Sequence, residues 1–273
     1  MRPPFGAVRA LVWREVIRFL RDRNRVLGAL LQPIMFWALF GSGLRASFHP
    51  PVPGGSVPYE EYFFPGVVVM IHGPGLDKFI ETQVEDLARH GYIAAAPDLF
   101  HRQAAGGDMM ARVGALRDQE ILADVDATVA HMKSLEDARV GPLAVLGFCM
   151  GGRNSYLLAG ARPENWKAAG VFYGGNIMKP WGEGPAPFDL TSRITCPIVG
   201  FFGADDTNPS PEDVKKIDAE LTKHGKPHEF HMYEGAGHAF LNFMNAERHR
   251  PKQAAEAWPK MLAFLDQHLA RSG

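Results

Sequence analysis

From residue 67 onward the apolar positions follow two alternating rhythms. Val67–His72 (VVVMIH) is an unbroken apolar, β-branched run, the pattern of a strand covered on both faces. Leu76–His90 then repeats at helical spacing through Phe79, Ile80, Val84 and Leu87. Tyr92–Ala96 predicts a second strand. Gln119–Leu135 predicts a helix with Ile121, Leu122, Val125, Val129 and Met132 on one face. Leu143–Gly147 is a third strand, and a helix follows directly from Gly151. Ala168–Tyr173, Pro197–Gly203 and His228–Tyr233 read as further strands, and Pro211–His224 and Gln253–Leu269 as helices. Strands and helices taken in turn predict an α/β fold, a mostly parallel sheet with helices on both faces.

The first 65 residues follow another pattern. Arg14, Arg18, Arg21 and Arg25 recur at steps of 4, 3 and 4, which is one helix face. Leu11, Val12, Val16, Ile17 and Leu20 form its apolar counterpart. Such a basic amphipathic helix suits a membrane surface. Val26–Leu44 follows with 19 residues and no charge, flanked by arginines on both sides. A membrane-crossing helix needs about 20 mostly apolar residues, so this run is a candidate transmembrane helix. The arginine bias would keep the N-terminus cytoplasmic. A soluble helix pair and a signal peptide are the alternatives. The long stretch before the run, and the lack of a small-x-small site after it, favour an uncleaved anchor over a signal peptide. Residues 46–60 are rich in Pro, Gly and Ser. The predicted organisation is a helical segment over 1–45, a candidate membrane anchor with contact through residues 11–44, a linker over 46–64, and an α/β domain over 65–273.

Composition adds mainly exclusions. A 273-residue chain with 46% hydrophobic and 22% charged residues is ordinary globular material. A net charge of −1 provides no field for nucleic acid. Two cysteines, Cys149 and Cys196, make no secreted disulfide framework.

One of those cysteines carries the candidate chemistry. Gly147-Phe148-Cys149-Met150-Gly151-Gly152 lies between a predicted strand and a predicted helix. This is a nucleophile-elbow pattern with cysteine in the serine position. The turn is so sharp that the residues two before and two after the nucleophile must be small. It also sets the sulfur at a helix N-terminus, which favours thiolate. The bland alternative is a buried cysteine acting as a small hydrophobe. A triad in chain order needs an acid after a later strand and a histidine after the last one. Asp206 in Ala204-Asp205-Asp206-Thr207 is the expected acid, with Asp205 as fallback, and His238 in Gly235-Ala236-Gly237-His238 is the expected base. The oxyanion donors would be the N–H of Met150 and one near Gly73. His228 and His231 are three apart on a strand and should face opposite sides, a poor metal pair, so no metal is expected. These residues predict attack on an ester or lactone carbonyl through a thioacyl intermediate.

The stretches PGVVVMIHGPGLDKFI, GYIAAAPDLFHRQ, VLGFCMGG, GFFGADDTNPSPEDV and YEGAGHAFLNF, spread over residues 65 to 270, resemble the dienelactone hydrolase family. The resemblance implies an α/β-hydrolase fold, a cysteine hydrolase of the carboxymethylenebutenolidase type and no cofactor. It also implies a small ester or lactone as substrate, and the triad Cys149, Asp206, His238. Many members carry a glutamate after the first of these strands, where His72 and Gly73 stand here. Many carry an arginine four residues after the catalytic histidine, where Asn242 stands here. Arg102 and Arg112 are the remaining candidates for an anionic substrate. The family's usual first two strands are missing. RALVWREVIRFLRDRNRVLGALLQPIMFWALFGSGL followed by YEEYFFPGVVVM resembles the start of an ABC exporter permease, and the two resemblances overlap over residues 65–70. A fusion is therefore expected. Its rival readings are a permease fragment, although only one of about six spans is present, and an inactive hydrolase whose sheet lacks an edge.

Overall fold

A strand that is apolar on both sides of its backbone is stable only inside a covered sheet. β1 (Phe64–Met70) is such a strand, with every residue after Phe64 buried. The computed structural model describes residues 51–52, 55–56, 63–104, 106–135 and 139–269. Five more strands follow β1: β2 (Ile93–Ala95), β3 (Val140–Phe148), β4 (Trp166–Phe172), β5 (Ile198–Gly203) and β6 (His228–Tyr233). Their order across the sheet is β2-β1-β3-β4-β5-β6, and every pairing is parallel. Separately, Pro51–Val52 and Gly55–Ser56 pair as a two-residue antiparallel ladder.

The helices are α1 (Lys78–Arg89), α2 (Met109–Gly114), α3 (Asp118–Lys133), α4 (Met150–Ala161), α5 (Pro211–Lys223) and α6 (Pro251–His268), with a 3-10 helix at Pro187–Arg193. Consecutive residues of β3 separate the two layers. Phe148 meets Phe79 of α1 edge-on and lies beside Trp258 of α6. Its neighbour Gly147 turns the other way, against the Gly151 carbonyl of α4. Trp258 donates to Asp86 and ties α6 to α1. Arg162 at the end of α4 pairs with Asp126 of α3. Helices thus cover both faces, as the alternating pattern predicts.

Predicted and observed elements agree within a few residues, and the differences have local causes. Asp77 accepts from the Ile80 N–H and caps α1, so that helix starts after Leu76. β1 begins at Phe64, inside the stretch read as linker, because its first residues pair with Val140 at the start of β3. Helix α2 was not expected: its six residues are too few to show a period, and no residue in it is buried. Edge strand β2 has only three residues, each half-buried, and a short edge offers little template for pairing. Among the described residues no helix is long and apolar enough to cross a membrane. The candidate span Val26–Leu44 and the basic stretch before it lie outside the described residues.

The approach of α4 to the sheet leaves no room for side chains at two glycines. A Cβ on Gly151 would run into the Met70 and Ile71 carbonyls at the end of β1, and one on Gly152 would come within 2.6 Å of the Phe172 carbonyl. Backbone cannot move aside as a flexible side chain can. Gly151→Ala should therefore cost at least the ~1–3 kcal/mol typical of overpacking. Thermal unfolding followed by far-UV circular dichroism should show a melting temperature several degrees lower; an unchanged midpoint would contradict the close approach.

Candidate active site

Cys149 sits between the last residue of β3 and the first of α4 with φ 56° and ψ −119°, a region that L-residues avoid. Its N–H donates to the Phe172 carbonyl at 3.0 Å, and its own carbonyl accepts from Gly152 and Arg153. These bonds anchor the backbone on both sides of the strained residue. The side chain is lifted above the end of the sheet, half-buried.

The loops after β5 and β6 are joined at the same end of the sheet. Ala204 N–H donates to the Tyr233 carbonyl and Asp205 N–H to that of Ala236, both at 2.9 Å. A side chain on Gly203 would strike the Ala236 carbonyl, so the two loops lie in contact. Asp206, only 5% exposed, accepts from the Asn208 N–H on one oxygen and holds His238 Nδ1 at 2.9 Å with the other. Asp205 is exposed. Of the two candidate acids, the structure brings Asp206 to the histidine.

His238 and the backbone N–H groups of Met150 and Gly73 lie near enough to the Cys149 thiol to favour its charged form. Burial pushes its pKa up, but His238 and the two N–H groups outweigh burial, and the thiol lies below its ordinary value. For His238, burial disfavours the imidazolium, while Asp206 and Cys149 favour it and push its pKa up to about 10. Each shift favours the charged form, thiolate on Cys149 and imidazolium on His238. Cys196 forms the contrast: buried without such partners, its thiol is pushed up to about 12.

The two expected substrate arginines part company. Arg102 grips Asp124 with two bonds of 2.6 Å, and His101 shares that carboxylate, so its fork is already filled by a carboxylate of the protein. In this structure Asp124, not an open site, faces the Arg102 guanidinium. Arg112, on α2, lies 4.3 Å over the Phe100 ring and its buried Nε has no partner among the described residues. One turn earlier on the same helix, Met109 packs against Gly73. Among the described residues Arg112 thus pairs with no carboxylate, and it lies on the helix whose Met109 packs against the Gly73 turn.

The sequence did not single out Tyr173 or the pair His72 and Asp77. His72, 3% exposed, places Nε2 2.9 Å from Asp77 Oδ2, off the line that an aligned hydrogen bond requires. Burial lowers the His72 pKa and Asp77 raises it, with burial prevailing. The carbonyl of His72 also accepts from the Gly75 N–H, closing the turn that carries Gly73. In sequence, His72 and Tyr173 look like the ends of core strands, and nothing in local spacing separates them from packing residues.

Residues 57–269 match the family model described as "Dienelactone hydrolase family". A putative carboxymethylenebutenolidase of Synechocystis sp. is 34% identical over 76% of this chain and 87% of its own length. A probable 2-oxo-3-(5-oxofuran-2-ylidene)propanoate lactonase of Bradyrhizobium sp. is 32% identical over 75% of this chain and 84% of its own. The crystal structure of a putative dienelactone hydrolase from Klebsiella pneumoniae superposes with a TM-score of 0.69 at 29% identity, covering 75% of this chain and 88% of that one. By its sequence and its fold, this chain belongs to the dienelactone hydrolase family.

Proposed function

We propose that the chain hydrolyses a small ester or lactone through a thioacyl intermediate on Cys149, with His238 as general acid and base and Asp206 as its orienting partner. The observation that carries this reading is the strained elbow that sets Cys149 at the start of α4, with an imidazole that Asp206 holds at 2.9 Å and the N–H groups of Met150 and Gly73 all favouring thiolate on its sulfur. The thiolate attacks the carbonyl carbon, and the carbonyl electron pair moves onto oxygen. That oxyanion takes the Met150 and Gly73 N–H groups. The intermediate collapses, the C–O bond breaks, and His238 gives its proton to the leaving alkoxide. Water then adds to the thioacyl carbon while His238 takes its proton, and loss of the thiolate frees the acid. The names borne by the Synechocystis and Bradyrhizobium relatives support an ester or lactone as the substrate class.

An ordinary thiol is only a few per cent thiolate at neutral pH. Cys149 should differ. Iodoacetamide should alkylate it rapidly at neutral pH, and the rate should fall only as pH drops through its depressed pKa. His238→Ala should move that inflection upward. Hydrolysis should decline again above about 10, where His238 loses the proton it must give to the leaving group. Cys149→Ala should abolish turnover of p-nitrophenyl acetate; a rate equal to wild type would sink the cysteine mechanism.

Arg112 supports a substrate that bears its own carboxylate. A charge-assisted bond there is worth ~1.5–3 kcal/mol, so Arg112→Gln should raise KM for an anionic ester by about tenfold or more. A neutral ester of similar size should be hydrolysed unchanged. Equal effects on both would assign Arg112 to the fold instead.

A second reading concerns attachment. The uncharged run Val26–Leu44, with arginines at both ends, supports a membrane anchor for this hydrolase. The full chain should then sediment with membranes while a chain beginning at Gly66 stays in the supernatant. Recovery of the full chain wholly in the supernatant would exclude the anchor.

A further inference from the structure

Large apolar side chains that face water are ordinary when scattered and informative when gathered. Among the described residues, Leu76, Met109, Met110, Phe243 and Met244 are between 41% and 66% exposed and come from three short segments. Leu76 lies in the turn between β1 and α1, the two methionines of the second segment open α2, and Phe243 and Met244 lie between His238 and α6. The remaining exposed apolar residues are dispersed: Phe63 precedes β1, Leu135 follows α3 and Met232 is on β6.

Contacts bring the three segments together around Gly73. Met109 lays its side chain on that glycine, where an added Cβ would meet the Met109 sulfur at 3.0 Å. Two residues on, Gly75 is backed by the Phe100 ring, the ring that Arg112 of α2 covers. From the other direction the Phe243 ring meets Phe79 edge-on at 5.7 Å. Phe79 in turn lies 5.3 Å from the His72 ring and 4.9 Å from that of Phe148. His72 and Phe148 immediately precede Gly73 and Cys149. The Met244 N–H donates to the Asn242 side chain at 3.0 Å, which keeps Met244 beside Phe243. The gathered side chains therefore border the turn whose N–H favours charge on the Cys149 sulfur.

The opposite flank of Cys149 is different. Tyr173, after β4, is 1% exposed, and its ring packs edge-on against His238 at 5.4 Å and Phe240 at 5.5 Å, so that side is filled. Farther along, the exposed residues of the loop after β5 are Asp205, Thr207 and Asn208, all polar. An apolar group attached near a carbonyl at the sulfur thus finds matching surface on the β1 side. Water is released from both surfaces when such a group meets the rim.

We propose that this rim binds an apolar substituent of the substrate, an alkyl or aryl group carried by the ester or lactone, and that Met109 and Phe243 set the choice of substrate. The inference rests on the reaction at Cys149 given above and narrows its substrate class to esters and lactones that bear a hydrophobic group. A carbonyl whose oxygen takes the Gly73 N–H lies beside the residue that Met109 covers, so a chain extending from it passes directly onto the rim. Met109, Met110 and Met244 suit that task, because an unbranched thioether adapts to groups of varied shape.

Two series of compounds test this on the full chain. A methylene taken wholly out of water is worth about fourfold in affinity, and about twofold on a half-exposed rim. From p-nitrophenyl acetate to p-nitrophenyl hexanoate kcat/KM should therefore rise about tenfold. N-alkylmaleimides label Cys149 whether or not the chain hydrolyses esters, and intact-protein mass spectrometry should show a similar rise in rate from N-ethylmaleimide to N-hexylmaleimide. Cys196 does not compete, because burial pushes its thiol up to about 12. Met109→Gln combined with Phe243→Gln should bring both ratios to within about twofold of unity, and because both positions are exposed the melting temperature should hold. Leu135→Gln should leave both ratios as in wild type. Ratios near unity in wild type, or ratios that survive the double substitution, would overturn the proposal. So would a dimer in sedimentation velocity that the double substitution dissociates while both ratios persist, since the rim is then a contact between copies. A maleimide series that rises in a chain hydrolysing no ester keeps the rim as a site for apolar groups and removes the reaction at Cys149 instead.

Discussion

Everything at this site depends on how closely the first turn of α4 can approach the sheet. Cys149 must leave β3 and enter α4 without a loop, and at φ 56° the backbone turns within a single residue. The turn closes only because Gly147, Gly151 and Gly152 let backbone meet backbone. A longer connection would relax the strain, but it would also withdraw the helix N-terminus from the sulfur. The Met150 N–H lies at the sulfur because the helix begins immediately after it. The same contact sets α4 against the end of β1, and the chain leaving β1 brings in the Gly73 N–H. One packing constraint thus sets the half-buried sulfur and the two backbone N–H groups near it.

The electrostatics of the site follow from burial working against charge. A thiol and an imidazole taken out of water would both prefer to be neutral. Here burial is the largest influence on each, yet both shifts go the other way. The reason is the unbroken line from Asp206 through His238 to Cys149, with two N–H groups at its far end. Asp206 is itself nearly inaccessible, and its second oxygen is satisfied by the Asn208 N–H. Each charge in the line therefore has a partner on either side, so removing any member would strand its neighbour. This coupling ties the state of the sulfur to two loops that meet each other through backbone bonds.

How much of this was legible in the sequence depended on range. Strands such as Val67–Met70 declared themselves because both of their faces are apolar, and the elbow declared itself because sterics demand glycine at fixed spacing. The proposed acid and base were legible as chain order, since each had to follow a strand. Their choice over Asp205 and ten other histidines became geometric only when the loops met. For Arg102, a sequence does not show that Asp124, twenty-two positions on, fills its fork. Arg112 and Met109 lie on a single helical turn that no period could reveal. Tyr173 was hidden most completely, because an aromatic residue at the end of a buried strand looks like core. Only its backbone angle and its unpartnered oxygen distinguish it.

The floor beneath Tyr173 and the elbow also explains a charged residue that chemistry does not use. Arg153, four positions after Cys149, is fully buried and bidentate to Asp118 at 2.7 and 3.0 Å. It donates as well to the carbonyls of Asn176 and Lys179, and its guanidinium lies 4.0 Å over the Trp181 ring. Asp118 in turn accepts from the Trp181 N–H. A buried ion pair repays its desolvation only when its remaining donors and acceptors are filled, and losing one partner costs ~3–5 kcal/mol. These bonds fasten the segment that follows Tyr173 to the first turn of α4 and to the start of α3. Tyr173 sits in a strained backbone at the head of that segment, and a loose segment would let the angle relax. Arg153 and Asp118 thus tie the first turn of α4, the start of α3 and the backbone at Asn176, Lys179 and Trp181 into one unit, and each partner's desolvation is offset only while the other stays in place.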